Sequence, residues 1–181
     1  MSSQLTIQRP VQTEGIGLHT AVRSRVRFLP APADTGIVFR RVDLDNFEIE
    51  AHVRNVARVS YATSLMKQGV LLSTTEHVLA ALYSCGVDNV FVEIDALELP
   101  ILDGSAKPFI DLLAQAGIKQ LRRQRRYIKV IKPLEFTDGD RLLVTLTDQA
   151  NTQEMWWWFM AAVVLLLCAE VWLTRRIVRA R

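Results

Sequence analysis

Apolar and polar residues alternate almost one for one through Val22-Arg23-Ser24-Arg25-Val26-Arg27-Phe28, the period of a strand with one buried face. Pro30-Ala31-Pro32-Ala33-Asp34-Thr35-Gly36 reads as a turn, and Ile37 to Arg41 as the next strand. Glu48 to Val53 alternates again, and Thr63 to Met66 and Val70 to Leu72 flank Gln68-Gly69 as a hairpin would. The period then changes. Val78, Leu79, Ala81, Leu82 and Cys85 recur at helical spacing, and Gly86 stands where a helix-ending glycine belongs. Asn89 to Ile94 predicts a buried strand. Asp103-Gly104-Ser105 then turns the chain into a second helix, Pro108 to Ala116, capped by Ser105 and closed by Gly117. Tyr127 to Val130 and Leu142 to Leu146 predict a further strand pair around Asp138-Gly139-Asp140. Strands grouped first and helices later predict an α+β fold, a sheet covered by two helices in a two-layer domain.

The last segment differs in kind. Trp156 to Leu173 is a run of 18 residues with one charge, Glu170, near its end. As a helix it would span roughly 27 Å, close to a bilayer core of about 30 Å. Trp156, Trp157 and Trp158 stand at one end and Trp172 near the other, as an interfacial belt would. The pattern predicts one transmembrane helix at 156–173 and a basic tail at 174–181, making the chain a single-pass, membrane-anchored protein.

Composition changes this picture little. Charged residues make up 23% and apolar residues 50% of the 181, which suits a folded core and excludes disorder over the whole length. The net charge of +3 is local: Arg122, Arg123, Arg125, Arg126, Lys129 and Lys132 form one run, and Arg175, Arg176, Arg179 and Arg181 another. No nucleic-acid motif accompanies them, so they read as a solvated face or linker, with no nucleic-acid partner. Cys85 and Cys168 each lie in apolar stretches and predict no disulfide framework. Met1 to Pro10 has no apolar core of the kind a secretory signal needs.

Candidate chemistry concentrates in Ser73-Thr74-Thr75-Glu76-His77, at the start of the first helix. Two readings fit. Ser73-x-x-Glu76 is a capping-box pattern, in which the two side chains satisfy each other's helix-terminal N–H groups. The same Glu76-His77 pair would suit metal-assisted hydrolysis, one group binding the metal and the other moving a proton. His52, in an alternating segment, reads as a surface or edge residue.

The neighbouring sequence carries a resemblance. Gly15-Ile16-Gly17-Leu18-His19-Thr20, Glu76-His77 with Leu79-Ala80-Ala81-Leu82, Gly86-Val87-Asp88-Asn89-Val90, and Glu98-Leu99-Pro100-Ile101-Leu102-Asp103-Gly104-Ser105-Ala106 occur in that order. Together they resemble the zinc-dependent UDP-3-O-acyl-N-acetylglucosamine deacetylases of lipid A biosynthesis, from about Leu5 to Leu121 and weakly on to Leu146. The resemblance implies a hydrolase that removes the N-acetyl group of a UDP-sugar lipid in the cytoplasm. It implies Zn2+ as cofactor, with His77 as its first ligand and Glu76 as the general base. His19 would lie close to the substrate, and Tyr61, Ala62 and Thr63 on a loop lining its site. Asp103 and Ser105 read as structural.

In that family two more zinc ligands and a further histidine come from a second domain, whereas the histidines here are His19, His52 and His77. The zinc site is therefore expected to be incomplete. The expected organisation is a deacetylase-like first domain at 1–121, a linker and partial second domain at 122–150, and a membrane segment foreign to the family. The alternative is a catalytically inactive, membrane-anchored remnant or a chimeric fusion.

Overall fold

The computed structural model describes residues 2–58, 61–127, 134–138 and 141–146. They belong to two compact units that divide between Arg125 and Arg126. The first unit holds β1 (Ser3–Ile7), β2 (Val11–Ile16), β3 (Arg23–Pro30), β4 (Ile37–Arg41), β5 (Phe47–Glu50), β6 (Val56–Arg58), β7 (Ser64–Lys67) and β8 (Val70–Leu72). It continues with α1 (Glu76–Ser84), β9 (Val90–Ile94), α2 (Lys107–Ala116) and β10 (Ile118–Gln124). Among the described residues, five strands form the main sheet in the order β2-β3-β9-β4-β5. All its pairs are antiparallel except β4 with β9, where Phe39 faces Val92 in parallel register. The fold is α+β, as the grouping of elements predicts.

Alternation in β3 sends Val26 and Phe28 to one face of the sheet, where they are buried, and leaves Arg23, Arg25 and Arg27 exposed. On the inner face they join Phe39, Ile49, Val90, Val92 and Ile94. The two helices cover that face: Val78, Ala81 and Leu82 of α1 and Phe109, Leu113 and Ala116 of α2 complete one continuous core. Phe109 meets Phe28 edge to face, with ring centroids 6.3 Å apart, the arrangement aromatic quadrupoles favour.

The outer face is held by charge instead. Arg27 lies 3.5 Å from Glu93, and Arg40 bonds Glu48 at 2.8 Å while its guanidinium sits 3.4 Å over the Phe91 ring. Arg40→Ala is expected to lower the unfolding free energy by about 1 kcal/mol, since a partly exposed ion pair and a cation–π contact each contribute modestly. Urea unfolding monitored by fluorescence would measure it.

Local signals set several boundaries. Gln68 and Gly69 both have positive φ (51° and 83°), which turns β7 into β8 with the twist a two-residue hairpin needs. At the end of α1, Gly86 (φ 67°) donates to the Tyr83 carbonyl and Val87 to the Leu82 carbonyl, closing the helix as a Schellman motif. The segment after β5 leaves the expected extended path at Glu50. His52 Nδ1 accepts the Arg54 N–H at 3.1 Å and caps a short 3-10 turn, Val53–Asn55. Ser105 Oγ accepts the Lys107 N–H from one residue before the cap position, Ala106, and is itself held by Asp103.

The basic run contributes to a strand. Residues 118–124 pair antiparallel with β1, Leu5 facing Gln120 and Ile7 facing Ile118. Their side chains are mostly exposed, and Arg123 pairs with Asp34 and Arg125 with Asp88.

In the second unit, β11 (Leu134–Asp138) pairs antiparallel with β12 (Arg141–Leu146), Asp138 facing Arg141. The first strand of this hairpin thus lies later than the Tyr127 to Val130 expected from the pattern. Tyr127 is outside any strand, and 128–130 lie outside the described residues. The apolar segment at 156–173 and the basic tail at 174–181 also lie outside them. No helix among the described residues is long and apolar enough to cross a membrane.

Candidate active site

Helix α1 starts at Glu76, so Glu76 is its first residue rather than its third, and Ser73 is too far upstream to cap it. The capping box does not form. Thr75 occupies the cap position without a side-chain cap bond among the described residues. The Ser73 hydroxyl instead pairs with Ser64 at 3.1 Å, and its backbone is bracketed by Leu97 and Leu99.

A tertiary contact takes the carboxylate that the capping box would have used. The Thr63 N–H donates to Glu76 Oε2 at 2.9 Å. In return the fully buried Thr75 donates both its N–H and its hydroxyl to the Thr63 carbonyl, each at 3.1 Å. The loop 61–63 is thereby latched to the first turn of α1. One oxygen of Glu76 is engaged, and the side chain stands on the first turn of α1, close to the positive end of the helix dipole.

His77 Nδ1 is buried and has no hydrogen-bond partner among the described residues. An imidazole nitrogen not committed to a protein partner, next in sequence to a positioned carboxylate, fits one ligand of a zinc ion. The rest of a ligand set is not assembled there. Among the described residues no three His, Cys, Asp or Glu side chains gather as a metal site. The described residues thus match zinc as one ligand only.

Beside this turn lies a cleft of about 290 Å³, with His19, Tyr61, Ala62, Ser73 and Glu98 in its walls. It brings together three of the residues expected to face a substrate: His19, Tyr61 and Ala62. Thr63 lies behind it, on Glu76, and neither Glu76 nor His77 is a lining residue. His52, exposed on its 3-10 turn, takes no part. Tyr61 is 94% exposed and holds φ at 64°; Thr74, fully packed, holds 60°. A left-handed β-branched residue is strained by about 1–3 kcal/mol and persists only where its surroundings impose it.

The Thr74 hydroxyl donates to Glu98, a residue to which the sequence pattern assigns no role of its own. Its side chain is 1% exposed. It accepts from His19 N at 3.0 Å, Thr20 N at 2.8 Å, Thr20 Oγ1 at 2.7 Å and Thr74 Oγ1 at 2.9 Å. Burial alone would push this carboxyl up; the donors outweigh it and hold it below the usual glutamate range. The available signal was an acid within an apolar run, which on burial must find donors.

Three other acids share that direction, among them Asp103, held low by the Ser105 N–H and hydroxyl. The Arg41 guanidinium, bonded to Asp43 in bidentate fashion, holds its carboxyl low, and Lys67 does the same for Glu50. A depressed native pKa gives stability that is complete above the unfolded value and lost as pH falls through the native one. The unfolding free energy should therefore decline as pH drops below the ordinary values of 4.5 for glutamate and 3.8 for aspartate. Urea melts across that range would show it, and Glu98→Gln should flatten the decline.

These elements define an α+β domain carrying a carboxylate–imidazole pair on the first turn of a helix, with a mixed polar and apolar cleft beside it. Comparison with known proteins gives the family. Residues 4–162 match the UDP-3-O-acyl N-acetylglycosamine deacetylase family. A UDP-3-O-acyl-N-acetylglucosamine deacetylase of Solibacter usitatus is 57% identical over 150 residues, 83% of this chain and 51% of that protein. Proteins of the same name from Saccharophagus degradans and Geobacter sp. are 43% and 45% identical over 142 residues, 78% of this chain and 47% of each. The chain belongs to the UDP-3-O-acyl N-acetylglycosamine deacetylase family, and it spans about half the length of the curated relatives it matches. The family match reaches residue 162, past the start of the apolar segment at Trp156.

Proposed function

We propose that this chain carries the base and the first metal ligand of a zinc-dependent hydrolase that deacetylates UDP-3-O-acyl-N-acetylglucosamine in lipid A biosynthesis. The observation that carries the reading is the latch on Glu76, set next to an imidazole with an uncommitted buried nitrogen. The names of its relatives supply the substrate. His77 would hold the zinc ion, which when bound lowers the pKa of a coordinated water to about 7 and polarises the amide carbonyl.

The chain's own residues account for the proton traffic. Glu76 Oε2 is occupied by the Thr63 N–H, so the second oxygen takes a proton from the attacking water. As the amide C–N bond breaks, that proton passes to the departing nitrogen, giving the free amine and acetic acid, which releases its remaining proton to solvent as acetate. His19, Tyr61 and Ala62 face the substrate across the cleft. The reading includes a membrane anchor at 156–173, supported by the apolar run.

The test is acetate release from UDP-3-O-acyl-N-acetylglucosamine by the zinc-supplemented full chain. The reading expects release that disappears in His77→Ala; equal release from the two, or none from the unaltered chain, would count against it. A second reading is favoured by the missing three-ligand cluster among the described residues. In it the domain retains a nucleotide-sugar surface without hydrolysis. Binding of UDP-N-acetylglucosamine by calorimetry, with no acetate released, would select that reading.

A further inference from the structure

The proposed hydrolysis needs two things fixed at once, the His19 side of the cleft and the entry of α1. A single buried carboxylate touches both. Glu98 sits directly after Leu97 in the cleft wall, and the Ser73–Glu98 bridge aligns its segment with the chain entering α1. Oε2 gathers Thr20 N and Thr20 Oγ1, Oε1 gathers Thr74 Oγ1, and the His19 N–H is shared between them at 3.0 Å and 3.3 Å. Thr74 stands two residues before Glu76 in a backbone conformation a threonine avoids. Gly17 completes the cradle: a Cβ there would lie 2.5 Å from Glu98 Oε2.

We infer that Glu98 is a positioning residue for the proposed reaction, acting through His19 on substrate binding and through Thr74 on the placement of Glu76. The inference rests on the proposed function for its kinetic part only. No ion pair engages Glu98 among the described residues; what it holds are four uncharged donors. Each such bond to an ionised acceptor is strong, and in a buried site removing the acceptor leaves donors unsatisfied. The two arms are separable because different donors serve them. Thr20 belongs to the His19 turn, Thr74 to the helix entry.

The experiment uses the full chain with zinc and three variants, Thr20→Val, Thr74→Val and Glu98→Gln. Thr20→Val is expected to raise KM about tenfold with kcat nearly unchanged. Thr74→Val is expected to lower kcat about tenfold with KM nearly unchanged, and Glu98→Gln to do both. A residue that only supported the fold would reduce the active fraction, lowering kcat at constant KM in all three, and that pattern would overturn the inference. Thr20→Ser, which keeps the hydroxyl, should restore KM.

An arm free of turnover separates this idea from the function it rests on. Amide hydrogen exchange, followed by NMR at pH 7, should quicken at His19 and Thr20 by about tenfold or more in Glu98→Gln. Amides of the core strand β9 should be unchanged. If the unaltered chain proves inactive, the proposed hydrolysis fails while the exchange result still decides this inference. Unchanged exchange at His19 and Thr20 would sink it. Should Glu98→Gln fail to fold, Thr20→Val and Thr74→Val carry both readouts.

Discussion

Glu76→Gln is expected to lower acetate release by the zinc-supplemented chain about 10²–10⁴-fold, the range that a positioned general base contributes. The substitution is nearly isosteric. The amide oxygen of glutamine can still accept the Thr63 N–H that Glu76 Oε2 accepts at 2.9 Å, so the latch between loop 61–63 and α1 should survive. What disappears is the second oxygen's capacity to take a proton. The variant should therefore keep its KM and its unfolding midpoint and lose turnover alone. A glutamine variant that retained more than about a third of the rate would remove Glu76 from the proton path.

Gly17→Ala is expected to cost about 3 kcal/mol of folding stability, at the upper end for a single added methyl in a packed site. The new Cβ would stand 2.5 Å from Glu98 Oε2, 2.7 Å from Thr20 Oγ1 and 2.8 Å from Glu98 Cδ. Those atoms cannot swing aside cheaply, because the Glu98 carboxylate is fixed by four donors. Relief would require breaking charge-assisted bonds inside the protein. Gly36 is the control: nothing lies within 4 Å of an added Cβ there, although its φ is 73°. Gly36→Ala should cost only about 1 kcal/mol through backbone strain. Equal urea midpoints for the two alanine variants would show that the cradle around Glu98 is looser than described.

What the sequence revealed of the site depended on how far apart the interacting residues lie. Gly86 and the Gln68-Gly69 turn were legible because each answers to its immediate neighbours, a helix end in one case and a two-residue reversal in the other. Of the two readings that Glu76-His77 allows, the capping box is the one that local sequence favours and the fold does not form. A capping box is the natural partner for Glu76 within four residues, and the actual partner is Thr63, thirteen residues away. Glu98 stands out in sequence only as an acid within an apolar run, and its partners are hidden for the same reason. Its donors come from 78 and 24 residues upstream, and nothing in Glu98-Leu99-Pro100 announces them. The strand at 118–124 escaped notice because its side chains do not alternate; pairing with β1 makes it a strand.

That last pairing also bears on the order of events in synthesis. Ser3–Ile7 emerges from the ribosome before the other strands of the first unit, and its antiparallel partner, Ile118–Gln124, is the last of them to appear. The first strand must wait, unzipped along that edge, until more than a hundred further residues have been added. Such distant pairing is slow to find and leaves a strand edge open to wrong partners in the interval. A nascent chain stalled near residue 116 should accordingly be captured by a holdase chaperone, and one released past residue 125 should not.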